Sequence, residues 1–179
     1  MAGTGDTGHL ARIRRLVRVG DRETSELAEL LIDSVAGGAS VSFMHPLSPA
    51  RALAFWQGVA ESVARGERAL LVAEDAAGIV GTVQLVLGQP ENQPHRADLA
   101  KMLVHRRARR QGWGGALMRA AELLARECGK SLLVLDTASP DAERLYARAG
   151  WQAAGTVPDY ALLPHGGYCD TRIFYRRLD

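Results

Sequence analysis

The chain has 179 residues, 47% hydrophobic and 23% charged, enough to bury one sizeable core and too few for two ordinary domains. Its 22 Lys and Arg against 20 Asp and Glu exclude the broad positive field that holds nucleic acid or anionic membranes, and point to a small-molecule partner. Cys128 and Cys169 match neither a zinc-ligand spacing nor a disulfide framework, so a reduced, cytoplasmic setting without a metal centre is expected.

Residues 1–9, rich in Gly and Thr, lack the charged and apolar regions of a secretory signal and are expected as a flexible tail, with 10–179 as a single domain. No stretch approaches the roughly 18 apolar residues of a membrane span. Residues 10–19 interleave apolar and basic side chains and predict a first strand with one solvated face. From Thr24 the spacing of Leu27, Leu30, Leu31 and Val35 predicts a helix capped by Thr24 or Ser25 and ended by Gly37-Gly38. Ser48-Pro49 offers a cap and an N1 proline for a second helix, with a stripe through Leu53, Trp56, Val59 and Val63 before Gly66. Residues 68–73 and 79–87 read as antiparallel strands joined by a tight connection over 74–78. A further strand is expected over 95–104, and a helix over 112–128 with Leu117, Ala121, Leu124 and Cys128 on one face. A short strand over 131–135, a helix over 140–149 stopped by Gly150, and two strands around Gly166-Gly167 complete the order.

The junction of the strand over 95–104 with the helix that follows carries the clearest chemical signal. A basic bend with Arg106, Arg107, Arg109 and Arg110 runs into Gly112-Trp113-Gly114-Gly115 at a helix start, where backbone amides without intrahelical partners converge. A phosphate bonding successive amides must come close to the backbone, where side-chain carbons would collide with it, and glycine removes them. The same residues also fit a plain chain reversal with a solvated basic surface. Neither a P-loop nor the glycine pattern of dinucleotide-binding folds is present.

The run Arg109-Arg110-Gln111-Gly112-Trp113-Gly114 resembles the cofactor signature of the general N-acetyltransferase superfamily, GNAT: Arg or Gln, two residues, Gly, one residue, then Gly or Ala. Ser139, Ala142, Leu145, Tyr146, Gly150 and Trp151 resemble its second signature, with Ser139 where the family has Asn. The likeness covers nearly the whole chain, because the family's order of elements is the order read above. It implies an α/β, mixed α+β fold: a mostly antiparallel sheet of about seven strands, about four flanking helices, and one parallel pair splayed by the cofactor. Residues 101–112, 132–137 and 158–162 are most similar to the tabtoxin-resistance type of acetyltransferase.

The resemblance implies acetyl-coenzyme A as co-substrate, no metal, and direct transfer of the acetyl group to a primary amine of a small molecule of the antibiotic or toxin kind, by a monomer or homodimer. It implies that Arg109, Arg110, Gln111, Gly112, Trp113, Gly114 and Gly115 hold the pyrophosphate, that the backbone of Met102, Leu103 and Val104 meets the pantetheine, and that Ser139 and Ala142 complete the cofactor site. A non-catalytic coenzyme A sensor or scaffold and a protein acetyltransferase are the alternatives.

A protonated amine must lose a proton before it attacks, so a carboxylate is the expected base. The stretch from Val104 back to Asp98 spans roughly 20 Å at about 3.3 Å per residue, comparable to an extended pantetheine, which makes Asp98 the first candidate. Asp98 fits a strand-edge ion pair with Arg96 or Lys101 equally well. Asp136, at the carboxyl end of a strand, is the second candidate, or else a partner of backbone amides before Pro140. Tyr146 matches the tyrosine that protonates the departing sulfur in many relatives; its ring also fits helix-to-sheet packing. Segments 41–45 and 157–160 are expected walls of the acceptor site. The five histidines show no catalytic or metal-ligand spacing, and Cys128 reads as structural.

Overall fold

The computed structural model describes residues 12–178. The expected tail and the first two residues of the expected first strand, Leu10 and Ala11, lie outside the described residues. Strands β1 (Ile13–Leu16), β2 (Arg68–Asp75), β3 (Gly78–Val86), β4 (Arg96–Val104), β5 (Leu132–Thr137), β6 (Gln152–Leu162) and β7 (Tyr168–Arg177) form one open sheet in the order β1-β2-β3-β4-β5-β7-β6. Helices α1 (Asp21–Ala36), α2 (Pro49–Ala64), α3 (Trp113–Glu127) and α4 (Pro140–Arg148) flank it. Neighbouring strands are antiparallel except β4 and β5, which run parallel, so the expected mixed architecture with one parallel pair is the one found. Among the described residues, no helix is long and apolar enough to cross a membrane.

Local chemistry explains most boundaries. Ser48 caps α2 by accepting from the Arg51 amide at 3.4 Å, with Pro49 at the first helical position. Helix α1 starts earlier than its expected caps: Gly20 is the N-cap, Asp21 and Glu23 occupy the first turn, and the Thr24 hydroxyl donates back to the Gly20 carbonyl at 2.8 Å. The two acidic residues at the positive end of the helix dipole stabilise that earlier start. The first strand is shorter than expected, β2 runs two residues longer and β3 starts one residue earlier, leaving Ala76 and Ala77 as the turn between them.

The sheet is buried on both faces. Along β2, Ala69, Leu71 and Ala73 join a core with Leu117, Met118, Leu133 and Phe174 beneath α3. The alternate residues Leu70 and Val72 join Leu27, Leu31, Trp56 and Val59 beneath α1 and α2. This period of two explains why β2 reads as an unbroken apolar run.

Two irregularities shape the centre of the sheet. Gln84 pairs with Ala100 and Thr82 with Leu103, so Lys101 and Met102 stand together opposite Val83, and Lys101 takes φ 50°. This β-bulge switches the faces of β4. Ala97 and Leu99 point to the α3 core, whereas Leu103, beyond the bulge, points to the α1 and α2 core. The parallel pairing of β4 with β5 covers only Arg96 to Leu132, Ala97 to Leu133 and Asp98 to Val134. Beyond it β5 stays with β7 as far as Thr137 paired to Arg172, and β4 stays with β3, so the two strands part.

Leu117 is fully buried where α3 crosses the sheet. Leu117→Ala is expected to lower unfolding free energy by about 2–5 kcal/mol in a denaturant titration, and a loss below about 1 kcal/mol would contradict this packing.

Candidate active site

The chain leaves β4 through a short 3-10 turn, Arg106–Ala108, held from three directions. Asp33 near the end of α1 accepts from the Arg106 amide at 2.9 Å and its Nε at 2.8 Å. The His105 Nδ1 accepts from the Arg107 amide at 3.2 Å, and the Arg107 guanidinium pairs with Asp75 at the end of β2. Burial works against the Asp33 carboxylate, but the Arg106 amide and guanidinium hold its pKa below the ordinary value. Two members of the expected basic cluster are therefore struts that fix the bend, which leaves Arg109 and Arg110 of that cluster for the glycine turn. The Arg109 Nε donates to the Val104 carbonyl at 3.3 Å, which holds Arg109 beside the end of β4.

Arg110 and Gly112 both take the left-handed conformation, at φ 60° and 91°, and turn the chain into α3. A Cβ added to Gly112 would meet nothing within 4 Å, so glycine is needed there for its φ and leaves open space beside the first turn. Gly114 is needed for a different reason: a Cβ there would stand 3.2 Å from Leu145 of α4. Trp113 is buried and anchors the helix start in the core. The first turn of α3 thus presents backbone to an open side between Arg110 and α4, a geometry suited to an anion.

Below that turn lies the fork between β4 and β5. Met102 and Val104 pack partly buried against the α3 core, and Leu103 is buried in the other one, so any ligand in the fork would meet these three through their backbone. Beyond Asp98 the β4 backbone has no β5 partner in the ladder.

Across the fork, Ser139 caps α4 by accepting from the Ala142 amide at 3.3 Å, so these two residues of the second signature bond each other. Tyr146 is 4% exposed, with its ring centroid 5.9 Å from Trp151 and 5.8 Å from Phe174. Trp151 donates from Nε1 to buried Glu122 at 3.0 Å, tying the end of α4 to α3. Burial, reinforced by the charge of Asp136, raises the Tyr146 pKa well above the ordinary phenol value.

The two carboxylates differ in setting. Asp98 lies where β4 and β5 are still paired, with its carboxylate held by Arg96 and by the Gln89 Nε2 at 3.2 Å. This is one of the strand-edge pairings expected from sequence, with Arg96 and not Lys101. Asp136 lies beyond the paired segment, is exposed, and accepts from the Thr171 hydroxyl at 2.9 Å rather than from amides before Pro140. Its charge raises the proton affinity of both Tyr146 and Lys101. The fold therefore gathers Asp136, Tyr146 and Lys101 about the fork and leaves Asp98 in its own ion pair. Lys101 was not among the residues expected at the site; its one sequence signal is a charge breaking the apolar run from Leu99 to Val104.

The loop between α1 and α2 meets the β6–β7 hairpin over this region. The His45 amide donates to the Pro164 carbonyl at 2.9 Å, the His45 and His165 ring centroids are 4.6 Å apart, and the Cys169 thiol lies 3.7 Å from the Ser40 hydroxyl. His45, in the expected wall 41–45, is the residue that meets Pro164 and His165 of the hairpin.

Residues 66–153, which hold the bend, the fork and α4, match the acetyltransferase (GNAT) domain. The chain is similar to ribosomal-protein-alanine N-acetyltransferase from Brucella melitensis, at 21% identity and TM-score 0.78, over 93% of this chain and 99% of that one. It is similar to yncA from Salmonella typhimurium, solved with its cofactor acetyl-CoA, at 19% identity and TM-score 0.74, over 94% and 95% of the two chains. Phosphinothricin acetyltransferase from Sinorhizobium meliloti, solved in complex with AcCoA, matches at 19% identity and TM-score 0.74, over 93% and 89%. The fold is the GNAT fold. The open sheet, the splayed β4–β5 pair and the glycine turn at the head of α3 are its elements in this chain.

The buried Tyr146 gives this GNAT fold a measurable signature. Below about pH 10 the folded and unfolded chains both keep the phenol proton; above it the unfolded chain releases the proton while the folded chain holds it. Stability should fall with rising pH, and Tyr146→Phe should remove up to about 1.4 kcal/mol per pH unit of that fall. Parallel stability curves for the two proteins between pH 9 and 11 would contradict the burial of this group.

Proposed function

We propose that the protein is an N-acetyltransferase that moves an acetyl group from acetyl-coenzyme A to a primary amine of a small molecule, with both bound together. The observation that supports this reading most is the fork itself: two parallel strands part directly below a glycine turn and a helix start. The residues fit the cofactor, since the open side of Gly112, the first turn of α3 and the guanidinium groups of Arg109 and Arg110 suit a pyrophosphate. Gln111, Trp113, Gly114 and Gly115 would complete that cradle through their backbone, Met102, Leu103 and Val104 would bond the pantetheine arm, and Ser139 and Ala142 would border it from α4.

Acetyl-coenzyme A supplies, when bound, an acetyl group activated as a thioester. The acceptor arrives as an ammonium ion and must lose a proton, and Asp136 is placed to take it, directly or through water. Asp136 is preferred to Asp98 because its carboxylate is exposed beyond the parting of the strands, whereas Asp98 is held by Arg96 and Gln89. Tyr146 keeps its proton at neutral pH, which suits a donor to the leaving sulfur on the α4 side. A small-molecule amine of the toxin or antibiotic kind is favoured by the likeness to phosphinothricin acetyltransferase and by the tabtoxin-resistance likeness of the sequence. A protein N-terminus is the second reading, supported by the likeness to the Brucella ribosomal-protein-alanine enzyme.

Thiol release from acetyl-coenzyme A against amines, polyamines, aminoglycosides and N-terminal peptides tests the proposal. Asp136→Asn and Tyr146→Phe should each lower kcat about 10²–10⁴-fold while coenzyme A binding changes little. A loss that follows Asp98→Asn instead transfers the base role to Asp98. Tight coenzyme A binding with no acceptor turned over would replace the enzyme by a coenzyme A sensor.

A further inference from the structure

Several of this protein's arginines have acidic partners: Glu23 and Glu74 hold Arg14, Asp33 holds Arg106, Asp75 holds Arg107, and Glu143 holds Arg172. Lys101 breaks that pattern. It is half-buried at the β4 bulge, and its ammonium donates to the Ser42 hydroxyl at 3.2 Å and lies 5.7 Å from the Phe55 ring centroid, with no carboxylate among the described residues in ion-pair contact. Ser42 and Lys101 both hold left-handed backbones, at φ 76° and 50°, so two strained residues meet at this hydrogen bond.

Arg68 stands on the same side. Leu70, Gln84 and Ala100 share one face across β2, β3 and β4, and the Arg68 guanidinium lies over that face, donating to the Gln84 carbonyl oxygen at 2.7 Å. Its charge opposes that of Lys101. Gln84 is fully buried, and its Nε2 has no hydrogen-bond partner. Asp98, on the same strand as Lys101, is taken by Arg96 and Gln89. Although the charge of Asp136 acts on Lys101 from outside ion-pair contact, the α1–α2 side of β4 concentrates cations and an unpaired donor that, among the described residues, no anion contacts. Burying a cation without one is costly, and a fold keeps such an arrangement where a ligand completes it.

We propose that Lys101, supported by Arg68, forms an anion subsite for the acceptor, so that the preferred acceptor is an amino-carboxylate: a small molecule with a carboxylate a few bonds from its reactive amine. Asp136 supplies the complementary half. It stands beyond the fork on the adjacent strand, near enough for its charge to act on Lys101 yet outside ion-pair contact, so a zwitterion can place its ammonium toward Asp136 and its carboxylate toward Lys101. Gln84 is a positioning residue that fixes the Arg68 guanidinium with its carbonyl. Burial lowers the Lys101 pKa, and a bound carboxylate would restore the charged form. The inference rests on the acetyl-transfer reading for where the acceptor lies.

The test compares matched pairs that differ in the carboxylate: L-leucine and L-leucinamide, β-alanine and propylamine, γ-aminobutyrate and butylamine. The parent should favour the carboxylate member of at least one pair, and Lys101→Met should lower kcat/KM for that member about 10- to 100-fold while its neutral partner changes less than about threefold. Lys101→Arg should retain much of the preference, which separates lost charge from a damaged fold. No preference in any pair, or an unchanged preference in Lys101→Met, overturns the subsite. Calorimetric binding of the same carboxylates to the protein holding coenzyme A needs no transfer and separates the two readings. Binding weakened by Lys101→Met upholds the subsite even where no acetyl group moves, and absence of carboxylate binding by the parent overturns it.

Discussion

The parting of β4 from β5 is the constraint on which the rest of the molecule depends. Parallel strands in the middle of a sheet ordinarily satisfy each other's backbone along their full length. Here three residue pairs do so, after which β5 is committed to β7 and β4 to β3. The bulge at Lys101 and Met102 bends β4 just past the last paired residue and redirects its side chains. Around them pack α3 and α4 on one side, where Tyr146, Trp151 and Phe174 contact one another in the core, and on the other the α1–α2 loop where it meets the β6–β7 hairpin.

Everything with chemical character is arranged about that opening. The glycine turn sits at its upper end because β4 leads into it through a bend pinned by Asp33 and Asp75. Tyr146 approaches from the α4 face, and Asp136 stands at the free end of β5. Charge is distributed unevenly around them. Arg106 and Arg107 of the bend are paired with carboxylates, whereas among the described residues the hydrogen-bond partners of Lys101 and Arg68 on the acceptor face are neutral. That contrast separates the charges that hold the fold together from those that a ligand can use.

How much of this was legible in sequence follows from the range of each interaction. Ser48-Pro49, Gly112, Gly150 and the apolar stripe of α3 act within a turn or two of chain, and the elements they bound were read closely. The glycine turn and the second signature pointed to the candidate cofactor side, and the resemblance to the GNAT superfamily implied the splayed pair. The missed features depend on distant residues. The early start of α1 rests on backbone and acidic residues at Gly20 to Glu23 that carry no strong cap side chain. Arg106 and Arg107 read as free positive charge because their partners, Asp33 and Asp75, are 73 and 32 residues away. The bulge at Lys101 has no local signature, so neither the change of face along β4 nor the isolation of its ammonium could be read from the chain.

The central claim is that the fork below the glycine turn receives coenzyme A, and a crystal structure of the protein grown with coenzyme A tests it most directly. The account predicts the pyrophosphate against the backbone of residues 111–115 and the pantetheine arm running along Met102 to Val104 toward Asp136 and Tyr146. Coenzyme A bound elsewhere on the sheet, or a fork closed by direct β4–β5 pairing beyond Asp98, would contradict it.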